Sequence, residues 1–128
     1  MRQIHAALAA GVVALCSVTA GAQGAAEQRV ELSNFDFTPH EIHLRAGQPT
    51  ELVLNNVASG GHDFSAPEFF AAARVEPGDA ALIDDGEVDV PARSTRTVHL
   101  VPAAGTYKLT CTHMMHRTFG MKGTIVVE

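Results

Sequence analysis

The chain closes on Gly105-Thr-Tyr-Lys-Leu-Thr-Cys111-Thr-His-Met-Met-His116-Arg-Thr-Phe-Gly-Met121-Lys-Gly-Thr-Ile-Val-Val-Glu128. Thr106 to Thr112 and Lys122 to Glu128 are rich in β-branched and aromatic residues, and each reads as a strand. Between them a thiol, an imidazole and a thioether, Cys111, His116 and Met121, follow one another with four residues in each gap. The two strands flank this loop directly, so they should be neighbours in a sheet that presents the loop at one end of a β framework. A loop this short can fold three side chains around one ion.

Working back from that segment, short apolar runs are punctuated by Gly, Pro and Asn. Val30 to Phe37 alternates loosely, and Glu41-Ile-His-Leu-Arg45 alternates cleanly, with Ile42 and Leu44 facing inward. Ala46-Gly-Gln-Pro49 turns the chain into a stronger strand, Glu51 to Val57, which Ser59-Gly60-Gly61 ends. Pro67 to Arg74 has good helix formers behind a proline at a first-turn position and predicts a short helix, ended by Pro77-Gly78-Asp79. Ala81 to Val90 predicts a strand or a hairpin turning at Asp85-Gly86, and Ser94 to Val101 another strand. About seven short strands in roughly a hundred residues predict an all-β, two-sheet β-sandwich.

The first 22 residues stand apart. Met1-Arg2 is positive, Ile4 to Val18 is apolar, and Ala20-Gly21-Ala22 is a small-x-small cleavage signal. This is the pattern of a secretory signal peptide and is too short for a membrane span, so residues 1–22 are expected to be removed and 23–128 to form one domain. A lipid anchor on Cys16 is the weaker alternative, because Leu15 stands where such signals carry a small residue. Of the two cysteines, Cys16 leaves with the signal and Cys111 remains, bound for an oxidising compartment, periplasmic or secreted. Metal ligation is one way to keep a lone thiolate from oxidising or pairing; a buried inert cysteine is the plainer alternative. The chain carries a net charge of -5, and loss of Arg2 makes it more negative. It has no basic patch and little aromatic content, which gives no support to a nucleic-acid-binding role. Six acids, Glu76, Asp79, Asp84, Asp85, Glu87 and Asp89, cluster in the middle. They read either as a solvated loop and edge strand or as a docking patch for a basic redox partner.

The donor types select the metal. Cys, His and Met are soft or borderline ligands, suited to copper rather than to magnesium or calcium, and His62 in Ser59-Gly-Gly-His62-Asp63-Phe64 is the best fourth candidate. Two imidazoles, a thiolate and a weak axial thioether form the ligand set of a blue-copper electron-transfer centre. Zinc can bind the same side chains, but structural zinc sites favour cysteine pairs and rarely use methionine. His113 shares a face with Cys111 on an extended strand, yet its ring would struggle to reach the same ion. Met114 and Met115 read as filler, or as an exposed pair that guides metal loading. His40, His43 and His99 read as exposed strand histidines.

The chain also resembles the cupredoxins, small blue-copper proteins of the plastocyanin and azurin type, over residues 29 to 128. The resemblance is carried by Gly105-Thr-Tyr, Cys111, His116, Gly120-Met121 and Gly123-Thr-Ile-Val-Val. Phe37-x-Pro39, Ile42-x-Leu44-x-Ala46-Gly47 and the Asn-rich strand end before His62 add to it. It implies a Greek-key β-sandwich with one type 1 copper per chain, bound by His62, Cys111, His116 and axial Met121. It also implies an electron exit through the imidazole edge of His116 and an Asp63 backbone N–H directed at the Cys111 sulfur. Two features depart from the family pattern: Asp63 stands where many members have Asn, and His113, Met114 and Met115 are additional donors. An Asp63 carboxylate accepting from the Thr112 hydroxyl would tie the two ligand loops together, favour Cu(II) and lower the reduction potential.

The resulting expectation is an exported, monomeric carrier of single electrons between protein redox partners such as a cytochrome or a copper oxidoreductase. It is not an enzyme, because a closed four-ligand site leaves no position for substrate. The alternative is a periplasmic copper-handling protein for storage, resistance or delivery, suggested by His113, Met114 and Met115.

Overall fold

A computed structural model describes residues 24–113 and 120–128. The expected signal segment 1–22 and the loop positions Met114, Met115 and His116 lie outside the described residues. Among the described residues, eleven strands form two sheets. In the first, the order is β2 (Asp36–Thr38), β1 (Ala26–Ser33), β4 (Thr50–Asn56), β9 (Thr95–Val101) and β6 (Arg74–Val75). In the second it is β3 (Glu41–Leu44), β11 (Lys122–Val127), β10 (Gly105–Thr110), β5 (His62–Ser65), β8 (Glu87–Val90) and β7 (Ile83–Asp84). β1 runs parallel to β4 and β3 parallel to β11, while β4–β9, β10–β11 and β5–β8 are antiparallel. These crossovers between sheets make the expected Greek-key sandwich.

The alternation read from the sequence is visible in the burial. In β3, Ile42 and Leu44 are buried while Glu41 and His43 are exposed. β4 lies between β1 and β9, and its run Leu52-Val53-Leu54 is buried throughout. Phe37, Phe64, Ile125 and Leu109 fill the space between the sheets, with Phe37 and Phe70 each set edge-on to Phe64. Burying a side chain of this size contributes roughly 1.5–3 kcal/mol. The β10–β11 pair forms as predicted, from Gly105↔Val127 to Thr110↔Lys122. Gly123 is required there: a Cβ would stand 2.6 Å from the carbonyl oxygen of His40, which itself accepts from Thr124 N.

The strand count exceeds seven because several strands span only two to four residues. The Asp85-Gly86 turn forms with both residues at positive φ, 50° and 77°, joining β7 to β8. The helix α1 covers Pro67–Ala72 and stops short of the predicted Arg74. Phe69 and Phe70 anchor it in the core, Ala73 turns extended, and Arg74-Val75 leave it to pair with Val101 and Leu100 of β9. Backbone pairing for two residues replaces one further exposed helical turn. Pro77-Gly78-Asp79 does not simply end the helix but opens a 3-10 helix, Pro77–Leu82, with proline in its first turn. Among the described residues, no helix is long and apolar enough to cross a membrane.

Candidate metal centre

Three of the four predicted ligands fall on neighbouring strands of the second sheet. His62 opens β5, Cys111 directly follows β10, and Met121 directly precedes β11. All three are buried, His62, Cys111 and Met121 each at 0% exposure. Cys111 N donates to the carbonyl of Met121 (3.2 Å), which closes the base of the loop. His62 Nδ1 stands 3.8 Å from Cys111 Sγ. Zinc, for example, sits about 2.3 Å from thiolate sulfur and about 2.0–2.1 Å from imidazole nitrogen, so two such donors subtending about 120° at one ion are about 3.7–3.8 Å apart. The separation therefore fits donors of a shared ion. Among the described residues no three His, Cys, Asp or Glu side chains converge on a metal position; the remaining predicted nitrogen ligand, His116, lies outside them.

Burial pushes the Cys111 thiol up to about 11; backbone N–H donation from Asp63 and from His113 pulls the other way, and the Asp63 carboxylate adds to the rise. A thiol held protonated in this way is a poor nucleophile. A bound cation supplies the charge that would hold it as thiolate, as it does for coordinating cysteines generally. The donor chemistry and the separation thus both fit a soft metal ion.

Around the sulfur the structure draws the two ligand segments together. Asp63, 5% exposed, accepts from Thr112 N (2.6 Å) through Oδ1 and from the Thr112 hydroxyl through Oδ2. This is the contact expected from the sequence. The Asp63 backbone N–H reaches the Cys111 sulfur, as the resemblance implied.

Two supporting residues escaped the sequence reading. Asn56, fully buried at the end of β4, donates from Nδ2 to the carbonyls of Gly60 (2.9 Å), Val90 (2.9 Å) and Pro91 (3.2 Å), and its Oδ1 accepts from Ala58 N (2.9 Å). Val90 is the cross-strand partner of His62, so Asn56 fixes both the approach to His62 and the strand beside it. The second is Glu87, whose Oε1 accepts from Ser65 Oγ (3.2 Å) and whose Oε2 lies 3.3 Å from Thr112 Oγ1. The Asn-rich strand end before a histidine was the available signal for the first; nothing local marks the second.

The other histidines sort differently. The His113 ring lies 6.3 Å from that of His62 and its Nε2 stands 4.0 Å from Asp89 Oδ1. His40 and His43 are exposed, as expected. His99 is only half exposed: Nδ1 meets Asp79 Oδ2 at 2.7 Å and Nε2 meets Glu51 Oε1 at 3.5 Å. Asp79 thereby leaves the acidic stretch as a tie between the 3-10 helix and β9, while Glu76, Asp84, Asp85 and Asp89 remain exposed.

Compared with known proteins, the chain matches the family described as Cupredoxin-like domain over residues 6–127. Among solved structures it is similar to dithionite-reduced auracyanin from the photosynthetic bacterium Roseiflexus castenholzii, with TM-score 0.59 and 19% identity over 82% of this chain and 99% of that one. It is likewise similar to auracyanin B, with TM-score 0.61 and 23% identity over 83% of this chain and 91% of that one. At these identities the likeness speaks for the fold. No curated protein matches the chain by sequence.

Proposed function

This chain belongs to the cupredoxin-like domain family, and we propose that it is an exported type 1 copper protein that passes single electrons between protein redox partners. The ligands are His62, Cys111, His116 and, axially, Met121. The observation that carries this reading is the 3.8 Å approach of His62 Nδ1 to the buried Cys111 sulfur. Copper bound there supplies a one-electron Cu(I)/Cu(II) couple. The protein's part is to exclude water, to hold soft and borderline donors on adjacent strands, and to direct the N–H groups of Asp63 and His113 at the sulfur. Four protein donors leave no open position for a substrate, so the protein carries electrons without being an enzyme. The exposed acids Glu76, Asp84, Asp85 and Asp89 suit a basic partner, whose association would weaken as salt rises.

The test is the visible spectrum of the purified protein with one equivalent of copper. An intense thiolate-to-copper band, lost in Cys111→Ser, together with rapid reversible electrochemistry, is expected. Colourless Cu(I) binding with quick transfer to an acceptor would instead favour copper handling, and a band that survives Cys111→Ser would sink the ligand assignment.

A further inference from the structure

Glu87 has no place in the ligand set, and its sequence context, Asp84-Asp85-Gly86-Glu87, marks it only as one acid among several. Its position is different. Ser65 Oγ donates to Oε1 (3.2 Å) and so anchors the carboxylate, while Oε2 lies 3.3 Å from Thr112 Oγ1. The same Thr112 hydroxyl also meets Asp63 Oδ2, and its backbone N–H meets Asp63 Oδ1. One hydroxyl carries one proton, so two carboxylates converge on a single donor. The residue that owns it directly follows Cys111. Asp63 and Glu87 also line one cleft of about 320 Å³ together with the exposed Asp84 and Asp89.

We propose that Glu87 is a charge-tuning residue of the metal centre: anchored by Ser65 and held against Thr112, the residue after Cys111, it adds a second negative charge to that of Asp63, and the pair favours the oxidised metal. This rests on the copper reading above. Asp63 alone would satisfy the Thr112 hydroxyl, so the second carboxylate adds charge rather than a needed acceptor. Two like charges this close are held at a cost, and a more positive metal ion offsets more of it.

The experiment compares copper-loaded wild type with Glu87→Gln and Asp84→Asn. Both variants remove one negative charge, and Asp84 is the exposed cross-strand neighbour of Glu87. Glutamine keeps one acceptor for Ser65 and gives Thr112 Oγ1 an N–H donor. At a fixed solution potential the Cu(II)/Cu(I) ratio should fall roughly tenfold in Glu87→Gln, the effect of a unit charge acting over about 10 Å at an effective dielectric near 20. In Asp84→Asn it should fall about twofold or less, through solvent screening. The metal-free Glu87→Gln protein should melt at or above the wild-type temperature, since the variant relieves the carboxylate pair. Equal ratios in the two variants would overturn the proposal. So would a Glu87→Gln protein that no longer folds, which would reduce the residue to a structural brace. A wild type without the thiolate band would sink the copper reading and this proposal together; a band present with an unmoved Glu87→Gln potential would sink this proposal alone.

Discussion

Replacing Asn56 with alanine removes four contacts at once, two N–H groups shared among three carbonyls and one accepted bond, but their costs differ. Gly60 and Pro91 are exposed, so water can take over two of the carbonyls. Val90 and Ala58 are buried, and the Val90 carbonyl and the Ala58 N–H lose the side-chain partner each has in the native structure. Leaving a buried donor or acceptor unsatisfied costs about 1–3 kcal/mol, so the expected loss for the two is about 2–6 kcal/mol. For a domain of this size that corresponds to a fall in Tm of roughly 10–40 °C. The assay is urea and thermal unfolding of the metal-free protein, with the urea midpoint lowered at unchanged slope. Asn56→Asp gives an independent check on the cause. It keeps the acceptor for Ala58 N but turns a carboxylate oxygen toward the Gly60 and Val90 carbonyls. It should therefore be severely destabilised at pH 7 and regain part of the loss when acid protonates the new side chain, a recovery the alanine variant cannot show. Because Val90 pairs with His62, copper affinity should fall in both variants. An alanine variant that melts within about 5 °C of wild type, or an aspartate variant with no acid recovery, would refute the role given to this side chain.

Asp63→Asn keeps an acceptor for the Thr112 hydroxyl and removes a charge beside the sulfur; its reduction potential should rise, and cyclic voltammetry showing an unchanged potential with copper still bound would remove Asp63 from the tuning of the site. The Asp79–His99 pair gives a pH signature. The Asp79 carboxyl is held below its ordinary 3.8 chiefly by the His99 backbone N–H, so its contribution is present above that pH and is lost on acidification through the lower folded value. The His99 ring is raised above its ordinary 6.5 chiefly by Asp79, so its contribution is full below 6.5 and is lost as pH rises through the higher folded value. Melting curves of the metal-free protein from pH 6 to 8.5 should show a decline that His99→Gln abolishes.

Where a residue's role depends on its own strand, the sequence was sufficient to read it. Ile42 and Leu44 alternate with Glu41 and His43 because β3 has one face on the core, and the structure buries and exposes them accordingly. The Asp85-Gly86 turn was legible because few residue pairs tolerate two successive positive φ values. The end of α1 was not legible. Whether Arg74 continues the helix or pairs in a sheet depends on the presence of Val101 and Leu100 at the sheet edge, and no local propensity contains that information. The same holds for Pro77, which reads equally well as a terminator and as the first residue of a new turn.

The candidate metal centre divides along the same line. His62, Cys111 and Met121 announce themselves by donor chemistry and by their places at strand ends. The residues that hold them do so across strands, and cross-strand partners are fixed by register. Thr110 pairs with Ser65, and that one pairing decides much of the rest. Continued for two residues along antiparallel strands, it sets Thr112 opposite Asp63, which is where the Asp63–Thr112 contacts form. On the other side of β5, Ser65 pairs with Glu87, so the same row that carries Thr110 delivers Glu87 within reach of Thr112. A slip of β5 by one residue would turn Asp63 and Ser65 toward the core and His62 and Phe64 away from it, so the register that packs Phe64 into the sandwich is also the register that brings Asp63 and Glu87 to Thr112.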